Sequence, residues 1–144
     1  MARAYYSLVL DDPADAVWAH IRSFGDYAWS GVDAEVGLDD GAAGDQVGAV
    51  RHIRGGGRDM RQRLLALSDV ERSYTYEFAD ASPFPVHDYR ATIRVTPVVE
   101  GDRAFVEWWA TFDCEPVEQE RWTAHFSKQG FGVWLAALRL SMAG

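Results

Sequence analysis

The chain has 144 residues, 48% of them apolar and 13% aromatic, with 22 acidic against 14 basic side chains and a formal net charge of −8. That length suits one domain with a substantial core, and the composition excludes disordered and fibrous classes. The negative balance argues against nucleic acid, because phosphate neutralisation needs clustered Lys and Arg, and the one basic stretch, Arg51 to Arg63, sits among acidic neighbours.

Residues 3–10, RAYYSLVL, read as a strand that stops at Asp11-Asp12-Pro13. That triplet starts a helix, with Asp12 as N-cap, Pro13 in the first helical position, and Ala14, Val17, Trp18 and Ile21 at helical spacing over about 13–24. A short second helix or turn is expected over 26–30. Strands follow at 32–36, 45–54, 58–67, 71–78, 87–97 and 103–114. Gly55-Gly56-Gly57, Ser68-Asp69 and Glu100-Gly101-Asp102 make the tight turns between them. The alternation is clearest late in the chain. Tyr74, Tyr76 and Phe78 share one face of their strand, Tyr89, Ala91, Ile93 and Val95 one face of the next, and Ala104, Val106, Trp108, Ala110 and Phe112 one face of the last.

From Pro116 onward the spacing predicts one long helix over 117–142, roughly 39 Å at 1.5 Å per residue. Phe131, Trp134, Leu135, Leu138 and Met142 form one apolar stripe, and Phe126, Gly130, Val133, Ala137 and Leu140 an adjacent one. So broad an apolar arc needs a concave surface, which the strands can supply. The second stripe, with its smaller residues, is expected to face a ligand. Consecutive hairpins with segregated helices make this an α+β protein with an antiparallel sheet.

Cys114 is the only cysteine, so no intramolecular disulfide can form, and a reducing cytoplasm is the expected location. The opening MARAYYSLVL has too short an apolar run for a signal peptide, and nothing approaches the ~20 apolar residues of a membrane span.

The order of motifs resembles the START/SRPBCC superfamily, the helix-grip fold of birch-pollen-type allergens and abscisic acid receptors. Within it, the chain is most similar to bacterial polyketide cyclase/dehydrase-like proteins. DPADAVWAHIRSF at 12–24, VGAVRHI at 47–53, RQRLLALSDVERSYTYEF at 61–78, PFPVHDYRATIRVTP at 83–97, FVEWWATFDC at 105–114 and Gly130–Leu138 carry the likeness. The resemblance implies a curved antiparallel sheet of about seven strands wrapped on the C-terminal helix, two short helices after the first strand, and a cavity between sheet and helix. One departure stands out. Relatives often place a Glu where Gln62 stands, so Arg51, if it points inward, lacks its usual carboxylate and needs Asp59, water or an acidic ligand as partner.

Candidate ligand contacts are Arg51, Ile53, Met60, Gln62, Leu64, Tyr74, Tyr76, Phe78, Phe84, Tyr89, Ile93 and Trp108, with Phe126, Gly130 and Val133 from the helix. Polar heads on aromatic bodies suit a mostly apolar ligand that carries a carbonyl, hydroxyl or carboxylate. Arg51, Tyr89 and His87 are the candidate acid/base groups; His87 shares the strand parity of Tyr89. No histidine, cysteine or carboxylate spacing suggests a metal site, no nucleophile motif is present, and no cofactor is implied. Three functions fit: binding of a small hydrophobic molecule, aromatic or polyketide-like; a cyclase or dehydratase using the same cavity; or a homodimeric interaction module contacting through Phe105 and Trp109 on the outer sheet face. The 81–86 loop, ASPFPV, is a candidate lid with Phe84 over the mouth.

Overall fold

The computed structural model describes all of residues 1–144. Strand β1 (Ala2–Leu10) leads to helix α1 (Ala14–Ile21), a 3-10 turn at Ala28–Ser30, and strands β2 (Glu35–Leu38), β3 (Val50–Gly55), β4 (Arg58–Ser68), β5 (Ser73–Phe78), β6 (His87–Val98) and β7 (Arg103–Asp113). They form one sheet in the order β1-β7-β6-β5-β4-β3-β2, every neighbouring pair antiparallel. The C-terminal helix packs across its concave face. This is the helix-grip α+β architecture expected above.

Local departures have local causes. Helix α1 is shorter than expected at both ends: Pro13 is the cap residue with extended backbone, and no side chain caps the helix. Phe24, beyond its end, turns fully into the core. Strand β2 lies later than expected, with its register running from Glu35 opposite Arg54 to Leu38 opposite Arg51, beside the turn that follows β3. In that turn Gly55, Gly56 and Gly57 all have positive φ (124°, 57° and 80°), which a side chain would strain. The register slips between Leu64 and Ala66 in β4 and between His87 and Arg90 in β6. Each inserts an unpaired residue that bends its strand.

The inner face buries Tyr74, Tyr76, Ala91, Ile93, Val95, Val106, Trp108, Ala110 and Phe112, together with Val17, Trp18 and Ile21 of α1. Trp108 is central. Its indole stacks on Phe131 (5.0 Å between ring centroids, 16° between planes) and lies 5.7 Å from Trp29 and 5.2 Å from Trp134.

The final helix is continuous but not uniformly α-helical. A 3-10 turn at Pro116–Glu118 leads into α2 (Gln119–Ala124), a π-helical segment at His125–Phe131, and α3 (Gly132–Ala143). The π turn is one residue wider than an α turn, so it shifts the phase of everything after it. Phe126 and Phe131, placed on different stripes by α-helical spacing, both face inward, followed by Leu135 and Leu138. Val133 and Leu140 rotate outward and are 55% and 75% exposed. The stripe assignment for Val133 is therefore overturned, and Trp134 takes the inner position instead. No helix is long and apolar enough to cross a membrane.

Candidate functional site

Between sheet and helix lies a cavity of about 670 Å³, open on one side. Its floor is Tyr27, Ile53, Gln62 and Tyr76, all buried; Tyr89, Phe126 and Gly130 continue the wall. Met60, Phe78, Phe84, Val32 and Trp134 complete the apolar lining, and Gly57, Arg58, Asp59, Pro83, His125 and Gln129 form the rim. Nine of the fifteen residues picked from sequence come together here: Ile53, Met60, Gln62, Tyr76, Phe78, Phe84, Tyr89, Phe126 and Gly130.

The others lie elsewhere. Leu64, Tyr74, Ile93 and Trp108 point inward as their parity requires but are packed over by neighbouring side chains, so they are core and not cavity wall. Val133 faces outward. His87 is exposed and removed from the cavity, because the bulge in β6, with Asp88 at φ 54°, pairs His87 with Asp113 on the outward parity of β7. Strand parity counted back from Tyr89 cannot see an inserted residue.

Several lining residues were not picked from sequence. Tyr27 comes from the segment before the 3-10 turn, and Arg58 and Asp59 from the tip of the β3–β4 hairpin. His125, Gln129 and Trp134 arrive through the phase shift of the π segment. The run Phe126-x₃-Gly130-x₃-Trp134, at i, i+4 and i+8, was a usable signal, because the small residue between two rings marks a depression.

Phe84 lines the cavity and packs against the final helix. Its ring is 5.3 Å from Phe126, 5.4 Å from His125, 5.7 Å from Trp122 and 6.4 Å from Phe78, which in turn lies 4.9 Å from Tyr89. Through Phe84 the 81–86 loop is joined to the helix by Trp122, His125 and Phe126 and to β5 by Phe78.

Arg51 is fully buried behind the floor and does not reach the cavity surface. No carboxylate pairs with it. Its Nε donates to Gln62 Oε1 at 2.7 Å, directly across the β3–β4 ladder, and Nη1 donates to the Phe24 carbonyl at 3.5 Å. The guanidinium carbon lies 4.1 Å from the ring centroid of Phe24, 4.2 Å from Tyr27 and 4.9 Å from Tyr76. Nη2 and the Tyr74 hydroxyl have no hydrogen-bond partner. Burial works against the charge, but Tyr74, Tyr27 and Tyr76 favour it, and the balance keeps the guanidinium above its ordinary pKa. The aromatic cage thus stands where a carboxylate was expected. Asp59, the alternative partner, is exposed and bonds His52 at 2.6 Å instead.

Desolvation of the cation and attraction to three ring faces are both worth several kcal/mol and oppose each other. Replacing Arg51 by Met is accordingly expected to change stability by less than about 1.5 kcal/mol in either direction, as read by urea denaturation. A loss above about 4 kcal/mol would show that the caged cation is a net structural anchor.

The buried phenols set the site's proton chemistry. Burial pushes Tyr27, Tyr74, Tyr76 and Tyr89 above the ordinary value of 10.0, and the opposing pull of Arg51 is too weak to reverse it. Each is a neutral hydrogen-bond donor at physiological pH, so Tyr89 cannot serve as a general base there. A phenol raised in the folded state adds stability below the unfolded value, and that contribution is lost as pH rises through the folded one. The protein is expected to lose stability above about pH 10, with tyrosinate absorbance at 295 nm appearing together with loss of near-ultraviolet circular dichroism. A gradual, separate ionisation of these four groups would contradict their burial.

The outer face of the sheet is built differently. Trp109 is half-buried between Arg3 and Arg94, whose guanidinium carbons lie 5.8 and 5.2 Å from its ring centroid, and Glu107 bonds both Tyr5 (2.7 Å) and Arg94 (3.0 Å). Nowhere are three or more His, Cys, Asp or Glu side chains gathered as a metal site would need.

A curved antiparallel sheet closed over a C-terminal helix, with an aromatic cavity between, is the helix-grip fold of the SRPBCC type. Residues 1–140 match the family described as polyketide cyclase/dehydrase and lipid transport, and the chain belongs to that family. No curated protein sequence matches. Among solved structures, a protein from Thermobifida fusca is 28% identical, with a TM-score of 0.87 over 96% of this chain and 91% of that one. The di-domain aromatase/cyclase BexL of the BE-7585A biosynthetic pathway is 18% identical (TM-score 0.80), covering 99% of this chain and 47% of that one. Norcoclaurine synthase from Thalictrum flavum, solved with dopamine and hydroxybenzaldehyde, is 13% identical (TM-score 0.77; 98% and 86% covered). At those identities the last two show a shared fold and nothing finer.

Proposed function

We propose that this protein binds a small, largely apolar molecule, aromatic or polyketide-like, in the cavity between sheet and helix. The cavity itself carries the reading. The cavity is open on one side, and about 670 Å³ lies within the range of small-molecule sites. In solution it therefore holds water or a ligand. Its rings and aliphatic side chains favour a ligand, with Gln62, Tyr76 and Tyr89 as the few polar groups that fix orientation. Arg58 on the rim makes no ion pair and can meet a polar head group.

The family description favours a second reading, in which the cavity is a mould for cyclisation or dehydration. There the walls would hold a reactive chain folded, and His125 would be the imidazole available to move a proton at the mouth. A thermal-shift panel of fused-ring aromatics, flavonoid-like phenols and fatty acids tests the common premise. Stabilisation by at least one apolar class is expected, growing with concentration as mass action requires. No shift across the whole panel would remove the cavity as a ligand site.

A further inference from the structure

The arginine behind the cavity floor determines what the floor offers to a ligand. Arginine has only donors, so the Gln62 atom facing Arg51 Nε must be the amide oxygen. The 2.7 Å bond therefore fixes the amide in one orientation, with Oε1 turned back to Arg51 and the NH₂ group turned away from it. Gln62 is 7% exposed and lines the cavity, and no protein acceptor takes its N–H groups. A glutamate here would offer only acceptors.

Tyr76 lies on the same face, diagonally across the β4–β5 pair, since Gln62 stands opposite Phe78 and Leu64 opposite Tyr76. Its hydroxyl oxygen accepts a hydrogen bond from Trp108 Nε1 at 3.2 Å, and the neighbouring Tyr89 hydroxyl also donates toward it, so the Tyr76 proton is left to be donated elsewhere. Gln62 and Tyr76 thus each have their oxygen engaged by a protein donor, while their own N–H and O–H groups remain to be donated. A ligand group placed there must bring oxygen lone pairs.

We propose that Gln62, held by Arg51, and Tyr76 form a paired donor site that selects a ligand by a neutral carbonyl oxygen, with Gln62 as the specificity-determining residue. The assignment rests on the binding role proposed for the cavity. It favours a ketone or quinone-type oxygen over a carboxylate. The cation beside the floor, Arg51, is withdrawn from the cavity surface and caged by Phe24, Tyr27 and Tyr76, and the other cation, Arg58, stands out at the rim. It also disfavours hydrocarbons, which would leave two buried donors unpaired.

Three pyrene probes of similar shape test this by quenching of tryptophan fluorescence: 1-acetylpyrene, 1-isopropylpyrene and 1-pyrenecarboxylate. The wild-type protein is expected to bind the ketone about tenfold more tightly than the hydrocarbon, the effect of one or two satisfied hydrogen bonds. Gln62→Glu keeps a partner for Arg51 but removes both N–H donors, so the ketone preference is expected to fall to about twofold or less. Gln62→Leu should do the same while leaving hydrocarbon affinity unchanged or higher; if it fails to fold, Gln62→Glu decides alone. Equal wild-type affinity for ketone and hydrocarbon, or an undiminished ketone preference in Gln62→Glu, would overturn the donor site but leave the cavity as a binding site. Tighter binding of the carboxylate than of the ketone would overturn the neutral-carbonyl assignment and make a cation, Arg58 at the rim or Arg51 behind the floor, the recognising group. Failure of all three probes to bind would overturn the cavity reading, and this proposal with it.

Discussion

Trp108→Ala is expected to destabilise the protein by about 3–5 kcal/mol, the range for deleting a fully buried aromatic side chain. Trp108 has no exposed surface and sits at the centre of β7, where sheet, 3-10 turn and final helix meet. Truncation removes the stack on Phe131 and the tilted ring contacts with Trp29 and Trp134, and takes from Tyr76 the indole N–H donated to its oxygen. The surroundings cannot collapse into the gap, because Trp134 and Tyr76 also line the ligand cavity and have open space on their other side. Measured by urea denaturation, the midpoint should fall with little change in slope. A loss below about 1.5 kcal/mol would mean that the three elements are not joined through this residue.

Gly130→Phe has the opposite signature, a large effect on binding with little on folding. Gly130 is buried in the cavity wall, within the helix and without a positive φ. A Cβ there would meet the Trp134 ring at 3.4 Å, a contact that a small rotation of the indole relieves. Replacing a helical glycine recovers up to about 1 kcal/mol of backbone cost. The new ring, however, must project into space the ligand would use. Overpacking of this kind costs about 1–3 kcal/mol, so affinity for a cavity ligand is expected to drop about ten- to a hundredfold while the melting temperature stays within a few degrees. Unchanged affinity for a ligand that stabilises the wild-type protein would place that ligand outside this cavity.

Much of this architecture could be read from alternation alone. The inward parities of β5, β6 and β7 were correct from Tyr74 to Phe112, because a half-buried strand repeats strictly every two residues. The missed features are those in which one residue is inserted into a regular pattern. The bulge at Asp88 took His87 off the inner face, and the π turn after Ala124 moved Val133 out and Trp134 in. The bulge leaves no mark on local spacing, and the π turn leaves only the Phe126-x₃-Gly130-x₃-Trp134 run. Inward parity also does not separate core from cavity wall. Tyr74 and Tyr76 are equivalent by sequence, yet only Tyr76 lines the cavity, because Phe24 and Trp18 pack against Tyr74. The departure at Gln62 was visible in the sequence, whereas its consequence, a cation held by three rings from distant segments, required the fold.

The central claim is that the cavity is occupied by a small apolar molecule. Native mass spectrometry of the wild-type protein and Gly130→Phe, purified in parallel and desalted gently, tests it most directly. The account predicts a wild-type population heavier than the bare chain by a few hundred daltons, an adduct released by organic solvent and strongly reduced in Gly130→Phe. Bare chain alone in both proteins, persisting after incubation with the apolar panel, would contradict it.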